Sequence, residues 1–257
     1  MLEDHEPVLR FDARERDRLM SVRQFATETG IEVPGVRPLT SGAHAPAIYG
    51  RRVGDGGATW LQYWLLFDYN SQDRGIVRTG RHEGDWEMVQ VRLGPSGAVE
   101  AATFTQHSSA EGCPASGLEL ARQRPVVYIA NGSHALYPRP GVHDRPFPDP
   151  NDEARGDGVT EVFGVEPIGA GERRWLAWDG HWGDSRAGFV PGEQSSPRGP
   201  AHQGERWDAP AAFHEGARAC GTLPARFPWL YVAAALAAAA AAVALARVRA
   251  RSLTAAG

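Results

Sequence analysis

The 257-residue sequence contains no lysine, so arginine supplies all 27 of its basic residues. We interpret this as the codon bias of a GC-rich genome and not as a binding signal. The chain has 31 acidic residues, and its formal net charge of -4 gives no electrostatic reason to expect a nucleic-acid partner. Hydrophobic residues make up 42% of the chain and charged residues 23%, which is typical of a globular protein.

Cysteine is scarce, and the two that occur are Cys113 and Cys220. Neither belongs to a C-x-x-C pair, which argues against a structural zinc site of the usual type. A disulfide between them would require an oxidising compartment. The sequence therefore favours two unpaired thiols, with the disulfide as the alternative.

Several signatures of enzymes and of export are also missing. The sequence has no G-x-S-x-G, no H-E-x-x-H and no phosphate-binding loop. The first twenty residues, MLEDHEPVLRFDARERDRLM, are charged throughout and contain no apolar core of a signal peptide. The sequence therefore gives no motif-based reason to expect a common hydrolase, and it shows no recognisable secretory signal.

One long apolar run lies near the carboxyl end. Residues 227–246, FPWLYVAAALAAAAAAVALA, are twenty residues without a charge, of which eleven are alanine. This length suits one membrane crossing, with Trp229 and Tyr231 as interfacial aromatics. We predict a single transmembrane helix there; an alanine-rich soluble helix is the alternative. Without a signal peptide the amino-terminal domain is expected in the cytoplasm, although three arginines after the run against two before it favour the opposite side.

Short strand-like segments and turn residues dominate the rest of the chain, with 30 glycines and 19 prolines. The predicted strands are 59–67, 86–93, 99–108, 124–130 and 159–165. Two short helices are predicted, at 21–29 and 116–123. We predict a mainly β fold, a β-sandwich with long loops and few short helices. Its boundaries are predicted as a domain over 1–208, a linker over 209–226, the span over 227–246 and a basic tail over 247–257.

The stretch HEGDWEMVQVRL places charge directly at the start of a predicted strand. Side chains two apart share a face of a strand, so Val89, Val91 and Leu93 are predicted to be buried together. Arg92 would then be exposed, and Gln90 would share its face.

The same alternation places Asp85 and Glu87 on the buried face. Two inward carboxylates repel each other and lose hydration unless something neutralises them. A divalent cation would do so, and His82 is close enough to join them because Gly84 lets the backbone turn. Calcium, magnesium or manganese suit the carboxylates best, while the histidine favours manganese or zinc. The alternative is that arginines pair with the acids, or that the acids are solvated at the rim.

Other histidines and an aspartate lie where predicted strands end. His107 ends one strand, His134 follows another, and His181 and Asp184 lie in the stretch DGHWGDS. Each alone is typical of a loop. Together they are candidates for additional residues of a shared site.

These stretches resemble the vacuolar protein sorting-associated protein sixty-two family of fungi, plants and bacteria. The matching segments run in the family's order over residues 7–207. They are PVLRFD, YWLLFDYN, HEGDWEMVQVRL, TQHS, VVYIANGSHALYP, HWGD and GPAHQGERW. HEGDWE and GSHA are the most specific of them. The resemblance does not define an activity.

HEGDWE is also similar to G-H-R-H-D-W-E, the signature of necrosis- and ethylene-inducing-like toxins. Those are β-sandwich cytolysins whose signature histidine and acids hold a divalent cation near a lipid-head-group site. Their two acids correspond to Asp85 and Glu87, and their first histidine to His82. Their second histidine corresponds to Gly84 and is absent here, which puts toxicity in doubt. The resemblance implies a metal site at His82, Asp85 and Glu87.

An upstream acid of the toxins has its nearest counterparts in Asp68 and Asp73, without a firm match. Their leading glycine corresponds to Arg81.

Three functions remain open from the sequence. The first is a non-enzymatic, metal-binding β-sandwich that is anchored in a membrane and binds a lipid head group, a glycan or a protein. The second is a metal-dependent hydrolase at His82, Asp85 and Glu87, with His107 or His134 as general acid or base. The third is a structural domain whose acids are only ion-paired.

Overall fold

The computed structural model describes residues 1–40, 46–72, 81–145, 149–169, 173–183, 196–222, 233 and 235–243. The chain divides into two compact units, Met1–Leu223 and Pro224–Gly257.

The described residues of the first unit are mainly β structure. The strands are β1 (Val8–Arg10), β2 (Leu19–Met20), β3 (Ile48–Asp55), β4 (Ala58–Asn70), β5 (His82–Leu93), β6 (Val99–Gln106), β7 (Ser109–Pro114), β8 (Leu120–Ala121), β9 (Arg124–Ile129), β10 (Leu136–Tyr137), β11 (Gly141–His143), β12 (Asp152–Ala154), β13 (Thr160–Glu161), β14 (Val165–Pro167) and β15 (Arg218–Ala219). The helices are α1 (Val22–Thr29), α2 (Glu205–Asp208) and α3 (Pro210–Gly216), and short 3-10 turns occur at Glu3–His5, Ala115–Gly117, Arg174–Ala177 and Pro200–His202.

The strands form one large sheet and two smaller ones. The large sheet has the order β14-β3-β4-β5-β6-β7-β15, with β2 paired to β4. The second sheet has the order β10-β9-β1-β13, with β8 paired to β9, and β11 pairs with β12 alone. The antiparallel meander from β3 to β7 builds the centre of the large sheet.

The main core lies between the large sheet and the second sheet, which confirms the predicted β-sandwich. Val89, Val91 and Leu93 are buried on the inner face of β5, and Arg92 is exposed, as the alternation predicts. The second sheet contributes Leu9, Val127, Ile129 and Leu136 to the same cluster. Burial of these aliphatic side chains is the main stabilisation of the sandwich.

The outer face of the large sheet is also covered. Trp64 and Trp86 lie there in a second cluster with Phe25 of α1 and with Trp175 and Trp182. Gln90 shares this outer face with Arg92 but is buried, and its amide donates to the carbonyl of Pro210 at 2.8 Å. Strand β5 is therefore buried on both faces over most of its length.

Local signals explain where helices form and where one does not. The predicted helix over 21–29 is confirmed as α1: Ser21 accepts a hydrogen bond from the backbone N–H of Gln24 at 3.2 Å, and Gly30 ends the helix with φ +73°. The predicted helix over 116–123 is wrong. That segment forms a 3-10 turn and then strand β8, because pairing with β9 and burial of its leucines against the core outweigh its helix propensity.

Two expectations about the carboxyl-terminal part of the unit are also wrong. Segment 209–226 contains α3 and β15, so it is not a simple linker, and the compact unit reaches Leu223. Cys113 and Cys220 form a disulfide and are not free thiols. Strand β15 pairs parallel with β7 and brings the two cysteines together across 107 residues of sequence, which spacing alone cannot reveal.

Among the residues described, no helix is both long and apolar enough to cross a membrane. Half of the predicted span over 227–246, and all of the tail over 247–257, lie outside those residues, so the span stays a prediction.

Candidate functional site

The predicted metal ligands lie at the end of the β4–β5 hairpin. His82 pairs with Asn70 on β4, and Asp85 and Glu87 follow toward the middle of the sheet. Asp85 is 7% exposed and Glu87 4% exposed, on the face that also holds Val89. The structure therefore places two carboxylates at the edge of the sandwich core, where the cost of an uncompensated charge is high.

Gly84 provides the turn that the sequence predicts between His82 and Asp85. Its φ is +56°, and a Cβ atom at this position would lie 2.1 Å from the backbone oxygen of Trp182 and 2.9 Å from Phe25. Only glycine fits, because a side chain would meet backbone and a packed ring at once.

His82 faces Asp85 with one ring nitrogen. The Nδ1 atom lies 3.2 Å from the backbone oxygens of Glu83 and Gly84, so we assign the ring proton to Nδ1. Nε2 is then an acceptor and lies 3.8 Å from Asp85 Oδ1. A neutral imidazole with this tautomer is suited to ligate a cation.

Glu87 is bonded to a neighbouring strand. The Thr105 hydroxyl donates to Glu87 Oε2 and accepts from the backbone N–H of Met88 at 2.9 Å. Burial, and then the charge of Asp85, raise the pKa of Glu87 well above its usual range. The carboxyl therefore tends to keep its proton, and a bound cation would displace that proton.

Asp85 is the ionised member of the pair. Burial alone would raise its pKa, but the hydrogen bond from His134 and the charge of His134 hold it below the ordinary value. Asn70 Nδ2 also donates to Asp85 Oδ2 at 3.2 Å. Two buried acids with opposite pKa shifts are a recurrent property of functional sites.

The acids open into a pocket of about 530 Å³ whose size is typical of small-ligand sites. Polar side chains from several segments line it: Asn70, His82, Asp85, Glu87, His107, Arg145, Asp149, His181, Arg198, His202, Gln203 and Arg206. The carboxylates are buried, while Arg198 is exposed. The pocket therefore offers both acceptors and donors to a polar ligand.

Three of the four additional candidates are described, and two of them line this pocket. His107 has φ +58° and donates from Nε2 to Asp152 at 2.8 Å, while His181 Nδ1 contacts the backbone oxygen of Ser196 at 2.5 Å. His134 is wholly buried and bonded to Asp85. Asp184 lies outside the described residues.

The upstream acids differ in position. Asp68 accepts hydrogen bonds from the backbone N–H and the guanidinium of Arg18, at 2.7 and 3.0 Å. Asp68 follows Phe67 on β4, and Phe67 pairs with Asp85 on β5. Because adjacent residues of a strand point to opposite faces, Asp68 lies on the face of the sheet opposite to Phe67. Asp73 lies outside the described residues.

Sequence reasoning missed several contributors to the site. Thr105 is buried, Asp152 holds His107, and Arg206 donates to the backbone oxygen of His107. Asn70 alone had a local signal, since it follows the predicted strand 59–67 and faces His82 in the hairpin. The others are distant in sequence, and only the packing of β6, β12 and α2 brings them to the pocket.

Two solved structures of a protein named NLPPya are similar to the chain. The glucosamine complex is 15% identical and has a TM-score of 0.43, with 77% of this chain and 82% of that chain covered. The mannosamine complex is 16% identical, covers 65% of this chain and 71% of that one, and has a TM-score of 0.41. A necrosis and ethylene inducing protein 2, from the causal agent of cocoa's witches' broom disease, is 13% identical and has a TM-score of 0.39 over 64% and 71% of the two chains.

A search of curated proteins found no match. The family model described as vacuolar protein sorting-associated protein 62 matches residues 56–145, which contain His82, Asp85, Glu87, His107 and His134. The resemblance to the vacuolar protein sorting-associated protein 62 family is thus confirmed over residues 56–145.

Proposed function

We propose that this protein is a non-enzymatic β-sandwich that holds a divalent cation at His82, Asp85 and Glu87 and binds a glycan in the adjoining pocket. The observation that supports it is the pair of buried acids with divergent pKa shifts at the base of a pocket of about 530 Å³. Calcium, magnesium or manganese would neutralise the carboxylates and keep open positions for ligand oxygens.

The lining of the pocket favours a hydroxyl-rich ligand. Carboxylates accept hydrogen bonds from sugar hydroxyls, and an amide such as that of Asn70 both donates and accepts them. Arg198 and Arg206 at the pocket add donors for ring oxygens or an acidic substituent. A lipid head group that carries a sugar has the same chemistry.

A binding experiment with the purified full-length protein tests this function. We expect binding to members of a glycan array in calcium, magnesium or manganese, and loss of that binding in chelator, because the cation completes the site. The Asp85→Asn, Glu87→Gln variant should lose it, while the exposed control Glu3→Gln, Asp4→Asn should keep it. Binding that survives both the chelator and the site variant would exclude the proposal; binding only to vesicles would identify a lipid head group as the source of the sugar.

A hydrolase is the second candidate because His107 is held like a catalytic base. Its Nε2 donates to Asp152, which is completely buried, and the ring lines the same pocket as Glu87. A histidine that is oriented by a carboxylate beside a cation can activate water. Cation-dependent cleavage of an ester, phosphodiester or glycoside that His107→Gln abolishes without loss of binding would favour this candidate.

We also propose that residues 227–246 anchor the domain in a membrane as a single helix. The length and the absence of charge support this, and described residues 235–243 are helical. The sequence predicts a cytoplasmic domain, but the Cys113–Cys220 disulfide and the three arginines after the run support the other side of the membrane.

Fractionation of expressing cells tests the anchor. We expect the full-length protein to stay in the membrane pellet after an alkaline carbonate wash, and a chain that ends at residue 223 to be soluble. Full-length protein in the soluble fraction would contradict the span. Protease treatment of intact cells then decides the side, since only an external domain is digested.

A further inference from the structure

A second polar cluster consists of His134, Glu15 and Asp17. It is joined to Asp85 by a hydrogen bond from His134, and none of its three residues lines the pocket. The His134 ring is fully buried and stacks on Phe67, with ring centroids 3.9 Å apart and planes 3° from parallel. The backbone of His134 has φ +54°, a conformation that few residues other than glycine adopt. Packing therefore holds this imidazole in one orientation.

The two ring nitrogens of His134 have different surroundings. Nδ1 donates to Asp85 Oδ2 at 2.9 Å. Nε2 is buried without a hydrogen-bond partner. Its nearest acids are Asp17 Oδ2 at 3.6 Å and Glu15 Oε2 at 3.8 Å, and both distances are longer than a hydrogen bond.

The two carboxylates that face Nε2 are fixed by the backbone. Glu15 Oε2 accepts from the N–H of Gly132 at 2.7 Å, and its other oxygen accepts from the N–H groups of Arg16 and Asp17. Asp17 Oδ2 accepts from the N–H of Ser71 at 3.0 Å. The acids are thus preorganised, and they cannot move toward the ring without losing these bonds.

The separations match those between ligands of one small cation. Donor atoms of Glu15, Asp17 and His134 lie within 4.8 Å of one another. With metal–ligand bonds of about 2.0–2.2 Å, two ligands of a tetrahedral ion are about 3.3–3.6 Å apart. The Nε2–Asp17 separation of 3.6 Å lies within this range, and the Nε2–Glu15 separation of 3.8 Å lies slightly beyond it. Both are closer to the spacing of two metal ligands than to a direct hydrogen bond.

We propose that Glu15, Asp17 and His134 bind a divalent transition metal, with zinc as the favoured ion, at a site separate from the pocket cation. One imidazole and two carboxylates are a donor set that zinc or manganese accepts, whereas calcium and magnesium prefer oxygen ligands alone. Zinc would occupy the position of the Nε2 proton.

Asp85 orients the histidine of the second site. A metal-bound histidine usually donates its other ring N–H to a carboxylate, which is the bond that Nδ1 makes to Asp85 Oδ2. Asp85 Oδ1 faces His82 instead. One aspartate thus connects the two sites, as a ligand of the pocket cation and as the orienting partner of His134.

A path to the second site exists. Glu15 and Asp17 line a cavity of about 450 Å³ that shares no lining residue with the pocket, and a hydrated ion needs a volume far smaller than this.

Zinc binding by the metal-stripped full-length protein tests the proposal. We expect the parent to retain zinc after desalting, with an X-ray absorption spectrum that shows one imidazole per ion. The Glu15→Gln, Asp17→Asn variant should bind zinc at least tenfold more weakly, and the exposed control Glu3→Gln, Asp4→Asn should match the parent. Asp17→Asn alone keeps the bonds of Glu15 and serves if the double variant does not fold.

Glu87→Gln tests the pocket cation separately, because Glu87 is bonded to Thr105 and is not one of the three proposed zinc ligands. We expect Glu87→Gln to weaken calcium or manganese binding and to leave zinc retention unchanged. Suppose that the Glu15→Gln, Asp17→Asn variant, or Asp17→Asn alone if the double variant does not fold, binds zinc as tightly as the parent. That result would overturn the second site, whatever the result for the pocket cation. A parent that holds no zinc would overturn it as well.

Discussion

The Asp85→Asn, Glu87→Gln double variant is expected to lose binding of calcium, magnesium and manganese while remaining folded. Both acids are buried, so a cation there has no substitute for their charge. Glutamine reproduces the neutral form that burial favours at position 87, and asparagine keeps an oxygen toward His134 Nδ1. The unfolding temperature without metal should therefore change little.

Thermal unfolding with and without metal measures this effect. A cation that binds only the native state adds about 2.7 kcal/mol to stability at a hundredfold excess over its Kd. Millimolar cation should raise the unfolding temperature of the metal-stripped parent and of the exposed control Glu3→Gln, Asp4→Asn, and not that of the double variant. A parent that shows no shift with any of the three metals would contradict a cation at this position.

Gly84→Ala is expected to destabilise the domain by about 2–5 kcal/mol. The left-handed backbone costs alanine about 1–2 kcal/mol, and the overlap with the Trp182 backbone and Phe25 adds about 1–3 kcal/mol. The substitution also lies between His82 and Asp85, so any relaxation of the backbone separates the predicted ligands. Cation affinity should therefore fall in the same variant.

Gly57→Ala is the matched control, because Gly57 has φ +71° and no atom within 4 Å of the added Cβ. It carries the backbone cost without the overlap, so we expect a loss of only about 1–2 kcal/mol. Urea unfolding of the two variants compares them directly. Equal losses would show that Trp182 does not restrict Gly84.

The disulfide shows how the site region is tied together. Cys113 lies near the end of β7 and Cys220 follows β15, so the bond attaches the segment after α3 to the large sheet. Helix α3 lies over this sheet, where the Pro210 carbonyl accepts from Gln90. Arg206 of α2, four residues before Pro210, donates to the backbone oxygen of His107. His202, Gln203 and Arg206 line the pocket, and the segment that follows them is held against the large sheet and is not a spacer.

Local periodicity was sufficient for the parts of the fold that depend on neighbours in sequence. Side chains of a strand alternate strictly, so the run from Trp86 to Leu93 identified its buried face, its exposed Arg92 and the inward direction of Asp85 and Glu87. The capping signals around Ser21 and Gly30 identified α1 for the same reason.

Contacts between distant segments were decided only by the tertiary structure. Residues 116–123 have helix propensity, but pairing of β8 with β9 outweighs it. Cys113 and Cys220 are brought together because β15 pairs with β7. His134 reached Glu15 across more than a hundred residues because its turn packs on the amino-terminal loop. The sequence by itself determined the β pattern and the HEGDWE carboxylates, since these follow from spacings of two or three residues. The partners that orient, cover and neutralise them depend on how the sheets pack, which no local spacing encodes.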